Sequence, residues 1–362
     1  IPALLLTAAT APAANPLDRR SRDEPEIVVE AGGRSGRCDD LRFTADGKWL
    51  MACGDDKVVR MWPYADGKLD TTKGKARVLR WPAWREQRGG IKAQAATADG
   101  SKVLVGGFGM RSSTCALLDG ETGDLLALTW PIEDRKEGGF FTVMAVAFPE
   151  DPKADPRVAF ATADGSVWLW DTTPLPDGKG KELPDRTARP YRVGVHQKVE
   201  ERDGKPSSFS MPRELWFEKG SLYSISEVGQ ILKCDVPKDI PAGSPRDLGK
   251  GTQRMNINAG KIDGDTKHTV YRTARSADGN WMAVAVRSNF VLLRELSEGR
   301  EFAKIPLLNK YELPYCVAFD PKTGRLAIGV ADMVYDTRKD GEKVPGAFAL
   351  DGKGHVLVFD NP

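Results

Sequence analysis

The stretch "LRFTADGKWLMACGDDKVVRMW", Leu41 to Trp62, limits the possible folds more than any other feature, because its pieces recur five more times along the chain. Leu41 to Phe43 alternates apolar and polar residues, the period of a half-buried strand. Thr44-Ala45-Asp46-Gly47-Lys48 places Asp-Gly where a tight hairpin needs positive φ, and Trp49 to Cys53 resumes as a second strand. Gly54-Asp55-Asp56-Lys57 reads as a further turn, and Val58 to Trp62 as a third strand ending in an aromatic.

The later copies keep this grammar. Ala95-Ala96-Thr97 precedes "ADGSKVLVG", Val146-Ala147-Phe148 precedes "PEDPKADPRVAFA", and Leu215-Trp216-Phe217 precedes "EKGSLYSI". Ala274-Arg275-Ser276 precedes "ADGNWMAVA", and Val317-Ala318-Phe319 precedes "DPKTGRLAIG". Third strands such as "DKVVRMW", "DGSVWLWD", "VGQILKCD" and "GHVLVFD" close on an aromatic or Asp. The anchors Phe43, Thr97, Phe148, Phe217, Ser276 and Phe319 lie 54, 51, 69, 59 and 43 positions apart, enough for a four-stranded blade plus variable loops.

This grammar resembles the WD-repeat family of β-propellers across roughly residues 26 to 360, with the best matches at Leu41 to Trp62 and Ala161 to Asp171. The resemblance implies an all-β protein, a propeller of six or seven four-stranded antiparallel blades. It also implies closure of the last blade by a strand from the N-terminus. Ile27 to Val29 suits that duty and should pair beside Val356 to Phe359, while Val236 to Val270 could hide a seventh blade. The Gly-His that usually opens a WD repeat is missing, since His355 follows Gly354 at the start of a third strand. Asp56 and Asp164 match the family's turn Asp and are expected to accept hydrogen bonds from turn amides.

Composition agrees with one large turn-rich domain. The 362 residues include 37 glycines and 24 prolines, with few long segments of helical period between them. Basic residues number 53 against 51 acidic, so neither a nucleic-acid footprint nor attraction to an anionic membrane is expected. The five cysteines, Cys38, Cys53, Cys115, Cys234 and Cys316, contain no C-x-x-C pair and read as small buried hydrophobes. If the protein is exported, one or two bridges become available to them.

Residues 1–25 are set apart as a lead-in, leaving 26–362 as a single propeller. Ile1 to Thr7 resembles the end of a secretory signal's apolar core, and Ala11-Pro12-Ala13-Ala14 its small-residue end. No Met or basic run precedes it, so the numbering is expected to begin inside a signal sequence and the protein to be exported to the periplasm or cell envelope. The alternative is a disordered Ala/Pro tail on a cytoplasmic protein. No other segment approaches the ~18 apolar residues of a membrane span.

Catalytic signatures are sparse. His196, His268 and His355 are widely separated without metal-ligand spacing, and each reads as a surface or strand residue. The neighbouring acidic pairs Asp39-Asp40, Asp55-Asp56 and Glu200-Glu201 face opposite ways on a strand and cannot alone form a two-carboxylate couple. No metal site, catalytic residue or cofactor is assigned. The expected function is a non-catalytic scaffold, a monomeric propeller binding a protein or peptide partner through one rim. Asp39, Lys92, Arg213, Tyr271 and Tyr315 precede the first strands of their blades and should cluster on that rim. The linker residues Trp81, Trp84 and Arg85 form a second candidate contact or, alternatively, internal packing. Because bacterial propellers of this resemblance occur fused to caspase-like peptidases and kinases, the N-terminal half of a larger exported enzyme is the second reading. A metal-dependent propeller hydrolase comes last.

Overall fold

The computed structural model describes residues 27–30, 38–65, 67–70, 72, 75–80, 90–108, 114–129, 142–176, 187–196, 210–240, 247–249, 251–256, 269–296, 301–307, 312–337 and 343–359. All regular structure in them is strand. Blade 1 comprises β2 (Cys38–Phe43), β3 (Trp49–Gly54), β4 (Val58–Ala65) and β6 (Arg77–Arg80), with the short β5 (Lys68–Leu69) extending β4. Blade 2 is β7 (Ile91–Ala96), β8 (Lys102–Gly107), β9 (Thr114–Asp119) and β10 (Leu125–Thr129). Blade 3 is β11 (Val143–Ala147), β12 (Arg157–Thr162), β13 (Ser166–Asp171) and β14 (Tyr191–Val195). Blade 4 runs through β15 (Pro212–Glu218), β16 (Ser221–Ser226), β17 (Gln230–Asp235) and β18 (Thr252–Asn256). Blade 5 contains β19 (Val270–Arg275), β20 (Trp281–Val286), β21 (Phe290–Glu295) and β22 (Glu301–Pro306).

Blade 6 is built from β23 (Glu312–Phe319), β24 (Leu326–Thr337) and β25 (Lys343–Phe359), and its outer strand is β1 (Ile27–Glu30). The closure is in the expected register, Ile27 opposite Val358 and Val29 opposite Val356. It covers a sheet edge that would otherwise offer unpaired backbone groups. Among the described residues the blades number six, and in the stretch 236–270, expected to hide a seventh, the described strand β18 is the outer strand of blade 4.

Repeated turn chemistry explains why the strands break where they do. In blade 1, Thr44 Oγ1 donates to Asp46 Oδ1 at 2.7 Å and accepts from Trp49 N at 3.1 Å, while Asp46 also accepts from Lys48 N. Thr97 with Asp99 and Ser276 with Asp278 repeat this arrangement in blades 2 and 5. The chain reverses at glycine: Gly47 has φ 64° and Gly100 has φ 71°, a region costly for residues with a Cβ.

The core lies between blades rather than within a single sandwich. Six apolar layers fill the six junctions, for example Met51, Val59 and Met61 of blade 1 against Ile91, Val105 and Leu118 of blade 2. At the ring seam Leu41, Leu50 and Trp62 meet Ala318, Val356 and Val358 of blade 6. Each sheet is thus covered on both faces, which is why β3 and β20 are almost continuously buried and read as apolar runs rather than alternating strands. Inner strands β2, β7, β11, β15, β19 and β23 touch in cyclic order, β23 returning to β2.

Candidate functional site

Every inner strand carries the same irregularity near its start. The pairing with its neighbour skips one residue between Cys38 and Asp40, Ile91 and Ala93, Val143 and Ala145, Pro212 and Glu214, Val270 and Arg272, and Pro314 and Cys316. The bulged residues are Asp39, Lys92, Met144, Arg213, Tyr271 and Tyr315. Bulges re-aim side chains, and repeated around a ring they bring six to one end of the channel. Five are the rim residues expected from the sequence. They differ from the expectation in lying inside the inner strands rather than before them, because each strand extends past its bulge. Met144 was missed. Its signal was the constant offset of the set, four or five residues ahead of the anchors at 43, 97, 148, 217, 276 and 319.

The rim has two halves of different chemistry. Lys92 Nζ bridges Asp39 Oδ2 at 2.9 Å and Asp55 Oδ1 at 2.8 Å, tying blade 2 to the blade 1 turn. Across the ring, Tyr271 and Tyr315 stack with ring centroids 4.8 Å apart and planes 17° from parallel. Tyr315 is buried, whereas Tyr271 is half-buried. Arg213 pairs with Glu227 at 3.0 Å. Burial holds its guanidinium below the usual arginine range, partly offset by Glu227.

Beneath the rim the channel is plugged by charge. Arg272, 3 % exposed, donates from Nε to the Asp39 carbonyl at 3.2 Å and from Nη1 to the Met144 carbonyl at 2.6 Å. It also donates to the carbonyls of Arg213 and Lys92. One guanidinium on blade 5 therefore gathers the bulged strands of blades 1, 2, 3 and 4. Those carbonyls belong to the bulged residues, and a planar group with five donors can serve them together. Asp40 Oδ1 lies 3.7 Å from Arg272 and 3.4 Å from Arg42 Nε, and Arg42 donates to Glu214 Oε1. Burial opposes the Arg42 charge, but Asp40 and Glu214 outweigh it and hold that group above its ordinary range. Glu214 is pushed up, chiefly by burial. Sequence reasoning missed Arg272: in "TVYRTARS" nothing local separates a lone arginine that faces the axis from one that faces water.

The structure sorts the other expected residues as follows. Asp164 accepts from Ser166 N at 3.2 Å and Thr162 Oγ1 at 2.5 Å, and Trp168 Nε1 donates to Thr162 at 3.1 Å. Asp56, in the β3–β4 turn, accepts from the Arg60 guanidinium of β4. Trp81, Trp84 and Arg85 lie outside the described residues. So does the side chain of His355, and so does His268. His196 is not a surface residue. It is 3 % exposed with its Nε2 2.9 Å from Ser224 Oγ, and burial holds it down to about 4. All five cysteines are free and buried. Among the described residues no group of three or more His, Cys, Asp or Glu side chains is placed to hold a metal, and no helix is long and apolar enough to cross a membrane. At the opposite end, between blades 3 and 4, a groove of about 890 Å³ is lined by Glu150, Asp155, Arg157, Tyr191, Phe217 and Ile240.

The architecture is that of a six-bladed β-propeller. The profile of the WD40 family (WD domain, G-beta repeat) matches residues 30–63, which is one repeat centred on blade 1. Among solved structures, the chain is similar to the RRP9 WD40 repeats, with 12% identity, a TM-score of 0.54 and coverage of 93% of this chain and 99% of that one. It is also similar to U3-55K, with 12% identity, a TM-score of 0.53 and coverage of 92% and 100%. At this identity the likeness is one of fold. No curated protein matches the sequence.

Proposed function

We propose that this propeller is a non-catalytic scaffold that binds a protein or peptide partner on the rim formed by the bulged inner strands. The observation that carries the reading is the convergence of Asp39, Lys92, Met144, Arg213, Tyr271 and Tyr315 at one end of a channel closed below by Arg272. A plugged channel offers a shaped floor rather than a pore. The rim around it joins an ion-paired half to an aromatic half, a mixture suited to polypeptide recognition, where aromatic and arginine anchors dominate. The WD-repeat match of blade 1 supports the same class of function. The apolar run Ile1 to Thr7, followed by Ala11-Pro12-Ala13-Ala14, supports placing the scaffold in an exported, periplasmic or cell-envelope setting.

The test uses variants that change the rim without dismantling it. Tyr315 is buried, Arg213 is held by Glu227, and Lys92→Glu would set a third carboxylate against Asp39 and Asp55, so Met144→Glu and Lys92→Gln are the better probes. The parent chain and both variants are used as bait against cell-envelope extract, with thermal melts confirming that each folds. Partners held by the parent and lost by both variants are the expected result. Partners retained equally by all three chains would refute the assignment to the rim.

A further inference from the structure

The ring closes between blades 1 and 6, and two thiols meet in that seam. Cys38 begins β2 and Cys316 lies in β23, the inner strands that complete the circle. Their sulphurs are 3.3 Å apart, and Cys316 Sγ also lies 3.4 Å from the Cys38 carbonyl oxygen. Both are sealed from solvent, at 4 % and 0 % exposure. Gly329 of β24 keeps the space they occupy: a Cβ there would overlap Cys316 Sγ and stand 3.2 Å from Cys38 Sγ. The other cysteines serve different junctions, Cys53 between blades 1 and 2, Cys115 between blades 2 and 3, and Cys234 between blades 3 and 4.

We propose that Cys38 and Cys316 are a disulfide-forming pair that covalently latches the propeller ring when the chain folds in the presence of a disulfide oxidant. β1 already closes the outer edge of blade 6 by backbone pairing, and this bond would fasten the inner edge, where blade 6 meets blade 1. The two cysteines are 278 positions apart, so the bond encloses most of the propeller and strongly restricts the unfolded chain.

The chemistry is thiol–disulfide exchange. One cysteine thiolate attacks a small-molecule or oxidoreductase disulfide, forming a mixed disulfide and expelling one thiolate. The second cysteine thiolate attacks the cysteine sulphur of that mixed disulfide, the Cys38–Cys316 bond forms, and the second thiolate leaves. Two electrons pass to the oxidant, and the two cysteine protons end on its thiols. Burial, with Cys38 alongside, holds the Cys316 thiol well above its ordinary range, so exchange belongs to the open seam during folding. Once closed, the same burial shields the bond from reductant. In a reducing compartment the pair remains two thiols.

The test refolds the full chain in a glutathione buffer of secretory-compartment ratio, then denatures it in an alkylating reagent without reductant. Peptide mapping should show the Cys38 and Cys316 peptides linked to each other, separable by reductant, with Cys53, Cys115 and Cys234 alkylated. The oxidised chain should melt about 3–6 °C above the reduced chain, a difference absent from Cys38→Ala/Cys316→Ala. Alkylation of both Cys38 and Cys316, or linkage of either to a different cysteine, would overturn the proposal. So would a melting difference that survives in the double variant.

Discussion

Replacing Arg272 by methionine is the perturbation that bears hardest on the account of the channel. The substitution keeps most of the side-chain volume and removes a guanidinium that serves carbonyls on four other blades. Charge-assisted hydrogen bonds contribute ~1.5–3 kcal/mol each, but water entering along the axis would satisfy some of the freed carbonyls. Asp40 is not fully orphaned, because Arg42 Nε remains 3.4 Å from it. Removing one partner of a buried charged network costs ~3–5 kcal/mol, and that is the expected loss. With an m-value of ~3 kcal/mol/M for a domain at the large end of the small-protein range, the urea midpoint should fall by ~1–1.7 M. Arg272→Lys keeps the charge but not the planar fork, so it should fall between parent and Arg272→Met. The assay is urea unfolding followed by tryptophan fluorescence. A midpoint for Arg272→Met within ~0.3 M of the parent would show that the guanidinium does not hold the inner strands together.

Three further outcomes follow from the packing. His196 is held at about 4 when folded against an ordinary 6.5, so the unfolded chain binds its proton more readily. Its contribution is full above pH 6.5 and falls by up to ~3 kcal/mol as pH drops to 4, and the pH dependence of melting should flatten over that window in His196→Gln. Gly329→Ala should destabilise by ~1–3 kcal/mol in urea melts, and adding Cys316→Ala should recover most of the loss, since the new Cβ overlaps that sulphur. Deleting residues 1–30 removes β1 and bares the outer edge of β25, so light scattering should detect concentration-dependent association below the melting temperature.

Much of the fold was legible because local chemistry announces it. Asp46-Gly47 and Asp99-Gly100 mark hairpins by the positive φ they accept. Ile27 to Val29 stood just ahead of the first repeat, where a closing strand was expected, and pairs with β25 as β1. The bulges were not legible, since each sits within a few residues of its strand's start and too few positions precede it to show the shift of phase, and the rim residues were therefore placed before strands that contain them. Arg272 was hidden for a different reason. Its partners are backbone carbonyls at residues 39, 92, 144 and 213, and carbonyls carry no sequence signature. His196 reads as polar and peripheral until Ser224, 28 positions later, closes over it.

The measurement that meets the central claim most directly is site-specific photocrosslinking with a benzophenone amino acid at Met144 on the rim and, separately, at Lys153 at the opposite end near the blade 3–4 groove. A discrete polypeptide adduct is expected from position 144 that disappears when Lys92→Gln is introduced in the same chain, and none from position 153. An adduct formed from 153 and not from 144 would place the partner in the groove and contradict the assignment to the rim.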